Sequence, residues 1–389
     1  MRKTLLTLLL SAAALAAGCR SSTPTTTISE LPVNSLRTQW TRTLEMKGER
    51  PKDIYLSGES LFVYRSDNLL YRINRNSGDL MFVSNAAPDG EKVGAPVVYP
   101  EGILIPSDTK IHIVDARGFR TGSIDLKQPM RSGIVGDRSG LYVGIDASRA
   151  GGRLACIDLD RPDAPFRWQL LTGGTVVSTP ALHEGILYAA SDDGKVYAVD
   201  ADRSPAWAIG TFQTAGRIHG DVSAEASGVY VASADSKLYC LDPADGRIRW
   251  QYFSGTPLFD SPAVSKTSVY INVRDKGLVC LSKTEGDYNR QAKWIVPGAK
   301  GFLAEDEKIT YLRGKNDTIM AVDRNTGVLK AQSQRSDLVA FAVNTRDGVV
   351  YAATKDGKVV AAVAVTKPGA VGEMVFAEPS AIEKILNSR

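Results

Sequence analysis

The residues able to do chemistry in this chain of 389 are few and far apart. Its three histidines, His112, His183 and His219, have no second ligand at metal spacing, so a zinc site is not expected. Cys156, Cys240 and Cys280 are equally dispersed, which argues against a vicinal redox pair and for small buried hydrophobes that stay reduced. The acidic pair Asp192-Asp193 has the setting of a hairpin turn and reads as solvated. No G-x-S-x-G, Walker A or strand-to-helix G-x-G-x-x-G occurs. The residues therefore predict no catalytic, cofactor-binding or metal-binding group. One cysteine has a different reading: Cys19 follows an apolar run and small residues, which is the setting of lipidation.

The elements that would carry any site are legible in Gly228 to Tyr252, GVYVASADSKLYCLDPADGRIRWQY. Alternation predicts one strand over 229–233 and another over 237–241, joined by the turn Ala234-Asp235-Ser236. Asp242-Pro243-Ala244-Asp245-Gly246 predicts a second turn, after which a third strand runs out on Trp250. Such a meander cannot bury its apolar faces alone, so many must stack. Sliding the unit along the chain puts Asn74, Asp115, Asp158, Asp200, Asp242, Ser282, Asp323 and Ala362 in one column, at intervals of roughly 39 to 43 residues, the blade period of a β-propeller. Eight marks predict an all-β chain: a single eight-bladed β-propeller of four-stranded antiparallel blades over residues 36–376. The blades are expected at 53–84, 93–127, 131–171, 176–210, 217–254, 259–296, 299–333 and 338–376.

Small residues and prolines at 94–97, 132–135, 178–181, 219–222 and 260–263 predict the innermost strands, which crowd the axis. Trp40, Trp168, Trp207, Trp250 and Trp294 recur on the outer strand and are expected between blades, each indole N–H donating to a carbonyl. Ile124 and Ala331 or Leu329 stand where the tryptophan is replaced. Trp40 precedes the first full blade, which predicts a strand that joins the last blade and closes the ring.

Residues 1–19 read as an export signal: Arg2 and Lys3, then an apolar run too short to be a lasting transmembrane helix. Ala16-Ala17-Gly18-Cys19 resembles a bacterial lipobox, and Arg20 rather than Asp after the cysteine points to the outer membrane, periplasmic side. Residues 20–35, rich in Ser, Thr and Pro, read as a flexible tether. Removing Arg2 and Lys3 from 47 basic residues leaves 45 against 43 acidic, a balance that argues against nucleic acid as a partner. In the tail, 377–389, Ser380-Ala381-Ile382-Glu383 has a capping-box pattern and predicts a short helix.

Ala321-Val322-Asp323-Arg324-Asn325-Thr326-Gly327 and Leu241 to Trp250 resemble the A-x-D-x-x-T-G-x-x-x-W repeat of the pyrroloquinoline-quinone (PQQ) repeat propellers. The resemblance covers 36–376 and implies one of two functions. One is a quinone-binding dehydrogenase or sensor; that family's enzymes are much longer and carry vicinal cysteines, a calcium bound by acidic and amide side chains and long insertions, whereas Cys156, Cys240 and Cys280 here lie far apart. The other is a cofactor-free scaffold. Signal, lipid-type cysteine, tether and an eight-bladed ring together resemble the BamB-like lipoproteins of the outer-membrane β-barrel assembly machinery, which implies envelope protein partners and a membrane bond through the lipid only. That family has a functional arginine where Arg217 falls, in the loop 211–219. The inter-blade loops Lys92, Arg131, Arg217, Phe259, Asp260 and Lys300 are expected around the channel mouth, a mainly basic rim with one aromatic, suited to protein recognition; Arg131, Arg217, Phe259, Asp260 and Lys300 are the expected protein-binding residues.

Overall fold

The computed structural model describes residues 36–100, 102–138, 140–146, 151–333, 337–364, 372–374 and 376–377. Among them lie eight four-stranded antiparallel blades, and in seven of them the strands neighbour one another in chain order. Blades 1 to 7 span 51–85, 97–125, 130–172, 181–213, 223–253, 263–296 and 301–333. Blade 8 takes its first three strands from 338–364 and its outer strand from Leu36–Thr43, which pairs antiparallel with Lys358–Ala364. The ring is thus closed by the start of the chain, as Trp40 predicted. Second strands such as Ser60–Arg65 and Gly228–Ser233 are buried at every position because both faces are covered by neighbouring blades. The apolar clusters accordingly sit between blades: Tyr230 and Trp250 of blade 5 pack with Val269 and Ile271 of blade 6, and Trp40 and Tyr351 of blade 8 with Ile54 and Leu61 of blade 1.

The column of Asp, Asn and Ser marks a turn held by its own side chain. Oδ1 of Asn74, Asp115, Asp158, Asp200, Asp242 and Asp323 accepts a backbone N–H from two residues on, and Ser282 Oγ accepts that of Glu285. Ala362 is the exception for a topological reason. Its strand leads to no hairpin, since the outer strand of blade 8 comes from the other end of the chain.

The next residue of each turn supplies the tryptophan's acceptor. The indole N–H groups of Trp40, Trp168, Trp207, Trp250 and Trp294 donate to the carbonyls of Arg75, Ala201, Pro243, Lys283 and Arg324, all on the following blade, at 2.8, 2.8, 2.9, 3.1 and 2.9 Å. Each ring also leans on a second-strand tyrosine of its own blade, as in Tyr230–Trp250 at 5.9 Å between centroids. The turn's glycine makes room: Gly78, Gly246 and Gly327 have positive φ, and a Cβ on them would lie 2.6 to 2.7 Å from Trp40, Trp207 and Trp294. Cys156, Cys240 and Cys280 pair in register with Trp168, Trp250 and Trp294. They are free and buried, and desolvation pushes their thiols up to about 11, 12 and 12.

Several boundaries differ from expectation. The inner strands Val97–Tyr99, Ala181–His183, Ser223–Glu225 and Ala263–Val264 begin at or beyond the end of the small-residue segments, which form the approach to them; only Met130–Asp137 contains its segment, 132–135. Trp207 lies in a bend, and the outer strand of blade 4, Thr211–Gln213, begins past residue 210. The tryptophan's place is taken by Phe82 in blade 1, Gly122 in blade 2 and Ala331 in blade 7, which pair with Arg72, Ile113 and Ala321; Ile124 is two residues further on. Beyond blade 8, Gly372–Met374 runs parallel to the outer strand of blade 7, Leu329–Ser333, and Phe376–Ala377 parallel to Leu36–Thr43. Signal, Cys19, tether and the capping-box segment lie outside the described residues.

Candidate functional site

The loops that enter each inner strand and the hairpins between second and third strands share one face, and side-chain carboxylates bind the two sets together. Asp193 and Asp235 do the same work in successive blades. Each accepts the backbone N–H two residues on (Lys195, Lys237), a tyrosine hydroxyl (Tyr197, 2.7 Å; Tyr239, 2.8 Å) and a backbone N–H of the preceding inter-blade loop (Gly173, Ala215; both 3.0 Å). Burial, and then the carboxylate each one faces, raises both tyrosines well above their ordinary value. Asp193 is therefore a structural clamp rather than the solvated turn residue expected. Nearer the axis, the Thr179 N–H donates to Asp221 at 2.7 Å and the Asp221 N–H to Ser261 Oγ at 2.8 Å, linking the approaches of blades 4, 5 and 6. These bonds take the place of the ladder that was expected there.

This frame brings three of the expected residues together. Arg217 is exposed in the loop 214–219, which is narrower than expected because 211–213 is strand, and its carbonyl accepts the Ala234 N–H at 2.8 Å. Phe259 is 49% exposed and stands edge-on to His219, with centroids 5.8 Å apart. His219 Nε2 lies 3.2 Å from Asp192 Oδ1. Asp260 accepts from Asn272 at 2.7 Å, and its carbonyl sits so close to Gly220 that a Cβ there would approach to 2.5 Å. The other cations stand apart. Arg131 belongs to the inner strand Met130–Asp137, not to a loop, and pairs with Asp146 at 2.6 Å; Lys300 and Lys92 are exposed at the entrances of blades 7 and 2.

On the same face, Arg50, Pro51, Lys52, Ser66, Asp317 and Val339 surround an opening of about 500 Å³ that no sequence signal marked. Below it, a cavity of about 540 Å³ lies between the inner strands Pro51–Ser57 and Leu338–Ala342, with Tyr55, Phe341 and Arg313 on its wall. Arg313 is held over the Phe341 ring at 5.4 Å and pairs with Asp317 at 2.5 Å. Its lining residues are distant in sequence, so only the closed ring unites them. Cations and aromatics at the mouth can bind acidic and apolar side chains of a polypeptide. Among the described residues no cluster of His, Cys, Asp or Glu has the geometry to hold a metal ion.

Solved structures share the fold at low identity. BamB from Moraxella catarrhalis superposes with a TM-score of 0.64 at 15% identity, over 86% of this chain and 98% of that one. The computationally designed Ika8 protein gives 0.62 at 13%, over 85% and 99%. The C-terminal WD40 domain of Sif2 gives 0.61 at 11%, over 86% and 99%. No curated protein matches. The family described as outer membrane protein assembly factor BamB matches residues 21–200 and 107–328. That is well over half of the chain, and it spans turns in which the Asp, Gly and Trp of the repeat are seen in contact, so the chain belongs to this PQQ-repeat family of BamB-like propellers.

Proposed function

We propose that the protein is a non-enzymatic scaffold of the bacterial cell envelope, lipidated at Cys19 and held at the outer membrane, that engages a protein of outer-membrane β-barrel assembly through its channel-mouth face. Family membership supports the setting. The observation that carries the choice of face is the exposed Phe259 ring, braced on His219 beside the exposed Arg217 in loops fixed by hydrogen bonds. An aromatic and an arginine on a rigid support are what a protein-binding hot spot needs, because little ordering is left to be done on association. Arg131, Asp260 and Lys300 belong to the periphery of the same contact. Alanine at Arg217, Phe259 and Lys300 together should weaken co-purification with the β-barrel assembly complex about tenfold while the melting temperature stays nearly constant. Undiminished co-purification would place the contact elsewhere. The scaffold reading also expects no dye reduction by the purified chain supplied with PQQ and calcium.

A further inference from the structure

Six of the eight blades place a large aromatic ring at the outer end of the interface with the next blade: Trp40, Phe82, Trp168, Trp207, Trp250 and Trp294. Blade 2 has Gly122 there, with nothing within 4 Å of where its Cβ would be. Ile113, the register partner of Gly122, lines a cleft of about 320 Å³ between blades 2 and 3, together with Tyr99, Leu104 and Leu159 and with the charged Arg138, Asp158, Asp160 and Arg167. Leu159 follows the turn residue Asp158, which is the position whose carbonyl accepts an indole N–H at five other interfaces. The outer strand Arg120–Asp125 leaves its first four residues exposed, whereas Ile248–Phe253 of blade 5 buries its tryptophan. A glycine inside a strand beside open space marks a place where another backbone can come close. Blade 7, which has Ala331 at this position, shows such an approach: Gly372–Met374 lies parallel to its outer strand, with Gly372 opposite Ala331.

The geometry points to the open edge of blade 2 as a docking site for an extended segment of a partner polypeptide, which adds as a fifth strand and inserts one aromatic side chain into the cleft. The chain cannot supply that ring from its undescribed segments, because none of them contains Phe, Tyr or Trp. Main-chain bonds to the edge would give affinity and the ring would give selectivity. The probe is a fluorescein-labelled peptide of alternating threonine and valine with one central tryptophan, measured by anisotropy against the full chain. Binding is expected, about tenfold weaker when the tryptophan of the peptide is alanine. Gly122→Trp, which fills the cleft from within, and Gly122→Asp, which has room but places a charge there, should each cause a similar loss. Arg217→Ala with Phe259→Ala should leave this binding unchanged, so the outcome is separate from that of the channel-mouth reading. Equal binding of both peptides, no binding, or binding indifferent to Gly122→Trp and Gly122→Asp would overturn the proposal. So would a self-associated chain that Gly122→Asp makes monomeric, since the occupant would then be a second copy.

Discussion

At the scale of single residues, the repeat is a set of contacts that cross from one blade to the next. Trp250 both fills space between blades 5 and 6 and satisfies the Lys283 carbonyl. Trp250→Ala should therefore cost about 3–5 kcal/mol, and Trp250→Phe, which keeps a ring and loses the N–H, a smaller amount near 1 kcal/mol beyond its packing loss; chemical denaturation of both variants would check the ratio. The cysteines give a second residue-scale prediction. With thiols raised by burial to about 11 or 12, Cys156, Cys240 and Cys280 should resist a thiol reagent at pH 8 in the folded chain and react fully in denaturant. A thiol that reacts in the native state would contradict the packing. The tryptophans, the cysteines and the turn aspartates could be read from the sequence because they recur at one period. The tyrosines that brace the indoles were missed: second strands hold aromatics for more than one purpose, and only register tells which face each one takes.

At the scale of elements, the number of blades was legible and the edges of the strands were not. Small residues at 219–222 and 260–262 resemble an inner strand in composition, yet they are spent on hydrogen bonds between loops, such as Asp221 to Ser261. The outer strand of blade 8 is the element on which closure depends, because Leu36–Thr43, which leads into blade 1, pairs with Lys358–Ala364 of the last blade. Deleting residues through 43 should strip blade 8 of its outer strand and Trp40, exposing apolar surface of blade 1. The expected outcome is a broad, poorly cooperative unfolding transition with aggregation; an unchanged sharp transition would mean that seven blades and a remnant suffice.

At the scale of the whole molecule, stability should depend on acid in a definite direction. The Arg65 guanidinium lowers Asp67, and the backbone N–H of Phe119 lowers Asp115; in Asp242 and Asp323 burial opposes ionisation but turn hydrogen bonds outweigh it. Carboxylates depressed in the folded state contribute fully above their unfolded value, about 3.9, and lose the contribution as pH falls through the lower folded values. The melting temperature should thus be nearly flat between pH 7 and 5 and drop steeply below about pH 4. Asp242→Asn, which keeps the Oδ1 acceptor as Asn74 does, should reduce that acid slope. The proposed contact, too, draws on the closed ring, since the channel-mouth face unites loops of different blades. The sequence marked Arg217 and Phe259 through their place in the repeat, but the cavity near Lys52, Arg313 and Phe341 depends on closure and left no local trace. The most direct test of the scaffold is photo-crosslinking in the cell with p-benzoylphenylalanine at position 259 and, as a control, at Lys308, which is exposed in the hairpin between the first two strands of blade 7 and so on the opposite face. A crosslink from 259 to a component of β-barrel assembly that disappears with Arg217→Ala, and none from 308, is the expected result; crosslinking from 308 and not from 259 would contradict a channel-mouth contact.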